Sequence, residues 1–263
     1  MMLKIQLDNK HALVCGASKG IGKATAFALA SAGASVTLLA RNAVLLEELI
    51  SQLPKSQNQS HRALIADMND PLDLNKKIHG LALSNPVQIL VNNTGGPPGG
   101  PILSADQNQF ELAFRQHLIC NHILVSNLVQ GMKDSSYGRI INIISTSVKQ
   151  PLDNLGVSNT IRGAVANWAK TLANELASFQ ITVNNILPGA TQTERLEAII
   201  ERESVQLKLS PEAVSAKMIS AIPMKRFAKP EEIANAVAFL ASPLAGYITG
   251  INLPVDGGRT RCL

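Results

Sequence analysis

In the segment NLGVSNTIRG, spanning 154–163, Ser158 and Arg162 stand four positions apart. In a helix that interval puts both side chains on one face. They make a poor acid–base couple. A serine hydroxyl does not titrate in the range where general acids work, and a guanidinium does not release its proton in a protein. Arg162 can instead hold ribose hydroxyls or a phosphate through its planar fork. The pair is suited to gripping a phosphorylated ligand and badly suited to handing over a proton.

A second constellation points the same way. The stretch CGASKGIG carries Gly16, Gly20 and Gly22, with Ser18, Lys19 and Ile21 among them, and runs into the helical pattern KATAFALASAG. Glycines at such a bend let the chain turn tightly and let a phosphate approach the amides at a helix N-terminus. Lying after a strand and before a helix, the motif predicts a dinucleotide site. The next strand ends at Ala40-Arg41. A carboxylate there would hold a ribose 2′-hydroxyl, whereas a cation favours a 2′-phosphate. Ala40 supplies no acid, Arg41 supplies a fork, and Lys19 adds a second charge. NADP(H) is therefore the favoured coenzyme, with NAD(H) left open.

These residues need a scaffold, and the hydrophobic pattern predicts one. Apolar runs of strand length fall at 11–16, 35–41, 62–67, 87–93, 139–145, 181–187 and 251–255. Helical patterns lie between them at 21–32, 42–53, 70–84, 106–132, 158–178 and 230–241. Uniformly apolar strands alternating with helices predict a parallel α/β sheet covered on both faces, wound doubly by right-handed crossovers. No linker interrupts the alternation, so one domain spans 1–263. The exception is 190–229, a polar insertion with two helical stretches, ERLEAIIERESVQLKL and SPEAVSAKMISAI. It reads either as a mobile lid over the ligand rim or as a surface helical pair that only packs.

Bulk composition narrows the classes. Hydrophobic residues make up 46% and charged residues 16%, enough for a substantial core. The net charge is +5, but the basic residues are scattered and aromatics are only 3%. That disfavours nucleic acid and suits an acidic small ligand. Cys15, Cys120 and Cys262 share no metal-like spacing, so no metal is expected and reduced thiols in a cytoplasm are the reading. No apolar stretch is long enough to predict a membrane span.

The ordered segments CGASKGIG, Asp67 after the third strand, NNTGG at 92–96, RIINIIS, LPGATQT at 187–193, RFAKPEEIANAVAFLAS and INLPVDGG resemble the short-chain dehydrogenase/reductase family. The similarity covers essentially the whole chain and is strongest toward the 3-oxoacyl-acyl-carrier-protein reductase-like members. It implies a Rossmann-type fold and an oxidoreductase of a carbonyl substrate, either a small molecule or a carrier-bound acyl group. By that resemblance Asp67 and Met68 line the adenine, Asn93 and Gly95 lie along the adenosine ribose, and the Pro188-Gly189 turn with Thr191 receives the nicotinamide. Cys15 stands where the family usually has Thr.

The resemblance breaks in the catalytic half. In the family a helix Asn, a strand-end Ser, a Tyr and a Lys four residues later do the chemistry. Counting from GRII puts Ser145 at the Ser position, Ser158 at the Tyr, Arg162 at the Lys and His117 at the Asn. Substitute donors are His117, whose titration range is suitable, Lys149 in STSVKQP, or a water held by Ser145 and Ser158. Ser147 and Asn159 are weaker polar candidates. Tyr137 should lie at the opposite end of the sheet, and Tyr247 belongs where the family buries subunit contacts. Two functions follow: an NADP(H)-dependent reductase with an atypical tetrad, or a silent dinucleotide-binding protein acting as sensor or hetero-oligomer partner. Small and apolar residues on several faces of the helices at 106–132 and 158–178 predict a homodimer or homotetramer.

Overall fold

The computed structural model describes residues 4–56 and 58–262. Seven strands, β1 (His11–Cys15), β2 (Ser35–Ala40), β3 (Arg62–Ile65), β4 (Ile89–Asn92), β5 (Gly138–Ile143), β6 (Ile181–Pro188) and β7 (Asn252–Val255), form one sheet in the order β3-β2-β1-β4-β5-β6-β7. All pairs are parallel. The strands carry little but Val, Leu, Ile and Ala because both faces are covered.

On one face, α1 (Gly20–Ser31), α2 (Ala43–Gln52) and α9 (Pro230–Ala241) bury Ala26, Leu29, Leu46, Ile233 and Val237 against Val14, Val36 and Ile141. On the other, α3 (Pro71–Ser84), α5 (Cys120–Asp134) and α6 (Gly156–Leu176) bury Leu74, Ile78, Leu124 and Ala173 against Leu13, Leu90 and Val183. The chain leaves β3 at one edge and re-enters as β4 beside β1. The crevice opens at the carboxyl ends of β1 and β4, where the winding reverses.

The expected single helix over 106–132 is broken. It consists of α4 (Gln107–Phe114), a π-helical turn (Arg115–Ile119) closed by Cys120 N–H to Arg115 O, and α5. The widened turn carries His117 inward to 1% exposure, a rotation that a regular 3.6-residue repeat does not foretell. The 190–229 insertion holds α7 (Glu194–Leu207) and α8 (Pro211–Ser220). Its ends are stitched together, Gln192 N–H to Ala228 O and Ala228 N–H to Ala190 O, both at 2.9 Å. Among the described residues no helix is long and apolar enough to cross a membrane.

Candidate active site

The glycine turn expected to hold a coenzyme lies at the end of β1. Gly16 (φ +58°) and Gly20 (φ +55°) adopt left-handed backbone conformations, which side chains disfavour. At Gly22 a Cβ would sit 2.1 Å from the Gly16 carbonyl oxygen. Only a bare backbone closes this turn, and a closed turn of this kind leaves amides free for phosphate. Asn93, just beyond β4, ties the turn across the switch point, its Nδ2 donating to Cys15 O at 3.2 Å and Gly16 O at 3.3 Å. Ser18 and Ile21 flank the start of α1, both half-buried. Cys15 is fully buried, and desolvation pushes its thiol up to about 12. It acts as a small packing group.

Where the sequence leads one to expect the adenosine, Ala40 is 9% exposed at the end of β2 while Arg41 is open to solvent. Lys19 corrects part of the charge expectation. Its ammonium is paired with Glu194 at the start of α7, whereas Arg41 forms no ion pair among the described residues. Asp67 accepts from Asn69 N and Nδ2 at 2.9 and 3.0 Å, and Met68 O accepts from Cys120 Sγ at 3.1 Å. In the turn expected to receive the nicotinamide, Gly189 N–H donates to Val255 O at 2.9 Å and Thr191 Oγ1 donates to Gly189 O at 3.0 Å. A Cβ on Gly189 would meet Asp256 Cα at 2.7 Å. Gly95 is exposed on the opposite lip.

The catalytic candidates gather beyond β5. Ser145 Oγ accepts the Ser147 N–H at 3.1 Å. Arg162, 7% exposed, fixes α6 to the same strand end, its Nη1 donating to Ile143 O at 2.9 Å. Burial first, and the nearby Arg195 charge second, push Arg162 down to about 10, so it stays cationic at neutral pH. Ser158 lies one turn earlier on α6 and is 7% exposed. Lys149 is half-buried on the following turn.

His117 is buried, at 1% exposure. It shares a 2.6 Å hydrogen bond with Thr94 through Nδ1. Burial, then the charges of Arg162 and Arg195, drive it down to about 2. That direction holds the imidazole in its neutral form and weighs against it as a proton donor. Asn159 is likewise used structurally, its amide clasping the Leu152 backbone at 2.8 and 3.5 Å, and Ser147 Oγ is buried without a partner. Tyr137 donates to Ala241 O at 2.6 Å beside the amino end of β5, away from the cleft.

Two features escape the sequence reading. Beneath the cleft an amide ladder crosses the sheet: Asn92 Nδ2 to Asn142 Oδ1, Asn142 Nδ2 to Asn185 Oδ1, and Asn185 Nδ2 to Asn252 Oδ1, each at 2.8 Å. Its residues are register partners on β4 to β7; the signal was an Asn in each of four otherwise apolar runs. The second is Arg195, whose Nη1 and Nη2 donate to Gly96 O at 2.9 Å and Pro97 O at 3.2 Å. Together with Lys19–Glu194, it connects the start of α7 to both lips of the cleft.

Comparison with known proteins gives the class. Residues 16–260 match the family model described as enoyl-(acyl carrier protein) reductase. The chain is 31% identical to the NADPH-dependent reductase BacG of Bacillus subtilis, over 98% of this chain and 100% of that one. It is 30% identical to the 3-oxoacyl-[acyl-carrier-protein] reductase FabG of Aquifex aeolicus, over 97% and 99%. The crystal structure of L-sorbose reductase from Gluconobacter frateurii, complexed with NADPH and L-sorbose, superposes with a TM-score of 0.92 at 29% identity, covering 99% of this chain and 100% of that one. The chain belongs to the short-chain dehydrogenase/reductase family, a family of oxidoreductases.

Proposed function

We propose that this protein is an NADPH-dependent reductase of small carbonyl compounds, with Ser158 and Arg162 standing in for the usual phenol and ammonium. The observation that carries the reading is the pairing of a glycine cradle that tolerates no side chain at Gly22 with a solvent-facing Arg41 where an acid would select NAD(H). Relatives described as NADPH-dependent or NADPH-bound support it. Gly16 to Gly22 receive the pyrophosphate, Asp67 and Met68 the adenine, Asn93 and Gly95 the ribose, and Pro188, Gly189 and Thr191 the nicotinamide.

NADPH held by these residues would supply a hydride to the carbonyl carbon, which with a proton to the carbonyl oxygen would give an alcohol and NADP⁺. Ser145 accepts a backbone amide, which leaves its own O–H free to donate to the carbonyl oxygen. Arg162, held on Ile143 O, stabilises the negative charge that develops there. Its fork also serves the nicotinamide ribose. The proton comes from water ordered by the Ser145 and Ser158 hydroxyls, with Lys149 as the side-chain donor nearest in sequence to that strand end. A positioned general acid is worth about 10²–10⁴-fold, so turnover is slow. The 190–229 segment acts as a lid, supported by the contacts of Lys19 with Glu194 and of Arg195 with Gly96 and Pro97. A homodimer or homotetramer is supported by Tyr247, fully exposed at 104% in the isolated chain beside Leu244 at 45%.

The neutral state of His117 favours a second reading, a silent coenzyme-binding protein. Titration with NADPH and NADH, followed by turnover on β-keto thioesters, quinones and diketones, separates the two. NADPH preference with measurable oxidation of NADPH is the expected result. Tight binding without turnover on any acceptor selects the silent reading, and no binding of either nucleotide overturns both.

A further inference from the structure

The cleft collects arginines that form no ion pair among the described residues. Arg195 and Arg202 lie seven positions apart on α7, hence on one face, two turns apart. Their guanidiniums sit over the glycine-rich loop: a Cβ on Gly96 would come within 2.5 Å of Arg195 Nη2, and one on Gly99 within 2.7 Å of Arg202 Nη2. Behind them is Arg162, buried, with its Nε unpartnered, and His117, at 1% exposure, with its Nε2 unpartnered. Although Arg195 as a whole residue is exposed, desolvation at its guanidinium, then the Arg202 charge, lowers its pKa, and its own charge lowers those of Arg162 and His117. These groups share one electrostatic neighbourhood.

On α7, Glu197, Glu201 and Glu203 form no ion pair among the described residues, and the two carboxylates that border the cleft are engaged. Glu194 pairs with Lys19, and Asp256 accepts the Gly258 and Thr260 amides at 3.0 and 2.7 Å. None of the three ion pairs among the described residues involves Arg162, Arg195 or Arg202. Like charges brought together in a partly desolvated cleft repel, and an anion placed among them relieves that repulsion. Arg195 uses only part of its donor set on Gly96 and Pro97, so both lid guanidiniums retain forks for a carboxylate.

We propose that the substrate is an oxo acid, a compound bearing a carboxylate as well as the reducible carbonyl, and that Arg202 and Arg195 receive that carboxylate while Arg162 and Ser145 face the carbonyl. This deepens the reductase reading and rests on it. Arg195 and Arg202 are specificity residues here; the reaction itself stays with Ser145, Ser158 and Arg162.

The test uses the full chain loaded with NADPH, with oxamate as an oxo-acid mimic and oxamide as its neutral counterpart, both followed by calorimetry. Oxamate is expected to bind at least about tenfold tighter than oxamide, a margin in keeping with charge-assisted hydrogen bonds. Arg202→Gln should weaken oxamate by about tenfold and Arg202→Lys by less, while NADPH affinity, read separately by its fluorescence, stays within about threefold. Equal binding of oxamate and oxamide, or unchanged oxamate binding in Arg202→Gln, overturns the inference. A parallel loss of NADPH affinity in Arg202→Gln overturns it too, by assigning the arginine to coenzyme phosphate. Absence of NADPH binding to the wild type is a different failure: it removes the reductase reading, and this inference with it.

Discussion

Replacing Asn142 with Ala cuts the amide ladder at its centre. Asn142 accepts from Asn92 and donates to Asn185, both at 2.8 Å and both in the buried interior. The substitution leaves the Asn92 amide N–H and the Asn185 carbonyl oxygen without those partners. Each stranded buried group costs roughly 1–3 kcal/mol, so the loss is about 2–6 kcal/mol. For a chain of 263 residues that is a Tm lower by roughly 5–15 °C. The internal control is Asn252→Ala, which removes one bond at the part-buried end of the same ladder and should cost only about 1 kcal/mol. Urea and thermal unfolding of the two variants measure the difference. Removing Asn92 and Asn142 together should cost less than the sum of the single changes, because the double variant no longer strands the Asn92 donor. Equal destabilisation by Asn142→Ala and Asn252→Ala would refute the argument that buried, doubly bonded amides hold this part of the sheet.

Three other outcomes are expected. Gly22→Ala drives a methyl to within 2.1 Å of the Gly16 carbonyl, a backbone clash that must distort the cradle; NADPH affinity should fall by at least about tenfold, measured by fluorescence titration. Arg41→Ser should lower the preference for NADPH over NADH by about tenfold or more, since one charge-assisted phosphate contact disappears; an unchanged ratio would mean that Arg41 does not read the 2′-phosphate. His117 is held near 2 in the folded chain by burial and by the Arg162 and Arg195 charges, against 6.5 as its ordinary value. Its neutral folded form favours folding fully above pH 6.5. Below that the unfolded chain takes up the proton first, so from pH 6 to 4 this residue removes about 1.4 kcal/mol of stability per pH unit. His117→Asn should flatten that slope in pH-dependent urea unfolding, leaving the contributions of His11 and His61, both also lowered first by burial.

The alternation of β and α segments was legible because a parallel sheet covered on both faces demands continuous apolar runs, and LVC, VTLLA and ILVN can be little else. The glycine turn was legible for a related reason: closely approaching backbone leaves no alternative to glycine at Gly22, and positive φ favours it at Gly16 and Gly20. Ser158 and Arg162 were placed on one helix face by spacing alone. Other properties depended on what the folded chain brings alongside. The charge of Lys19 is cancelled by Glu194 and Arg195 meets Gly96 across the cleft, pairings separated by long stretches of chain. His117, an acid candidate by residue type, is buried by a π-helical turn beside two guanidiniums, which push its pKa down. The sequence carries the local constraints, which depend on periodicity and steric freedom. Protonation, charge balance and the amide ladder belong to the tertiary structure, because each is set by the dielectric and the partners that distant segments supply.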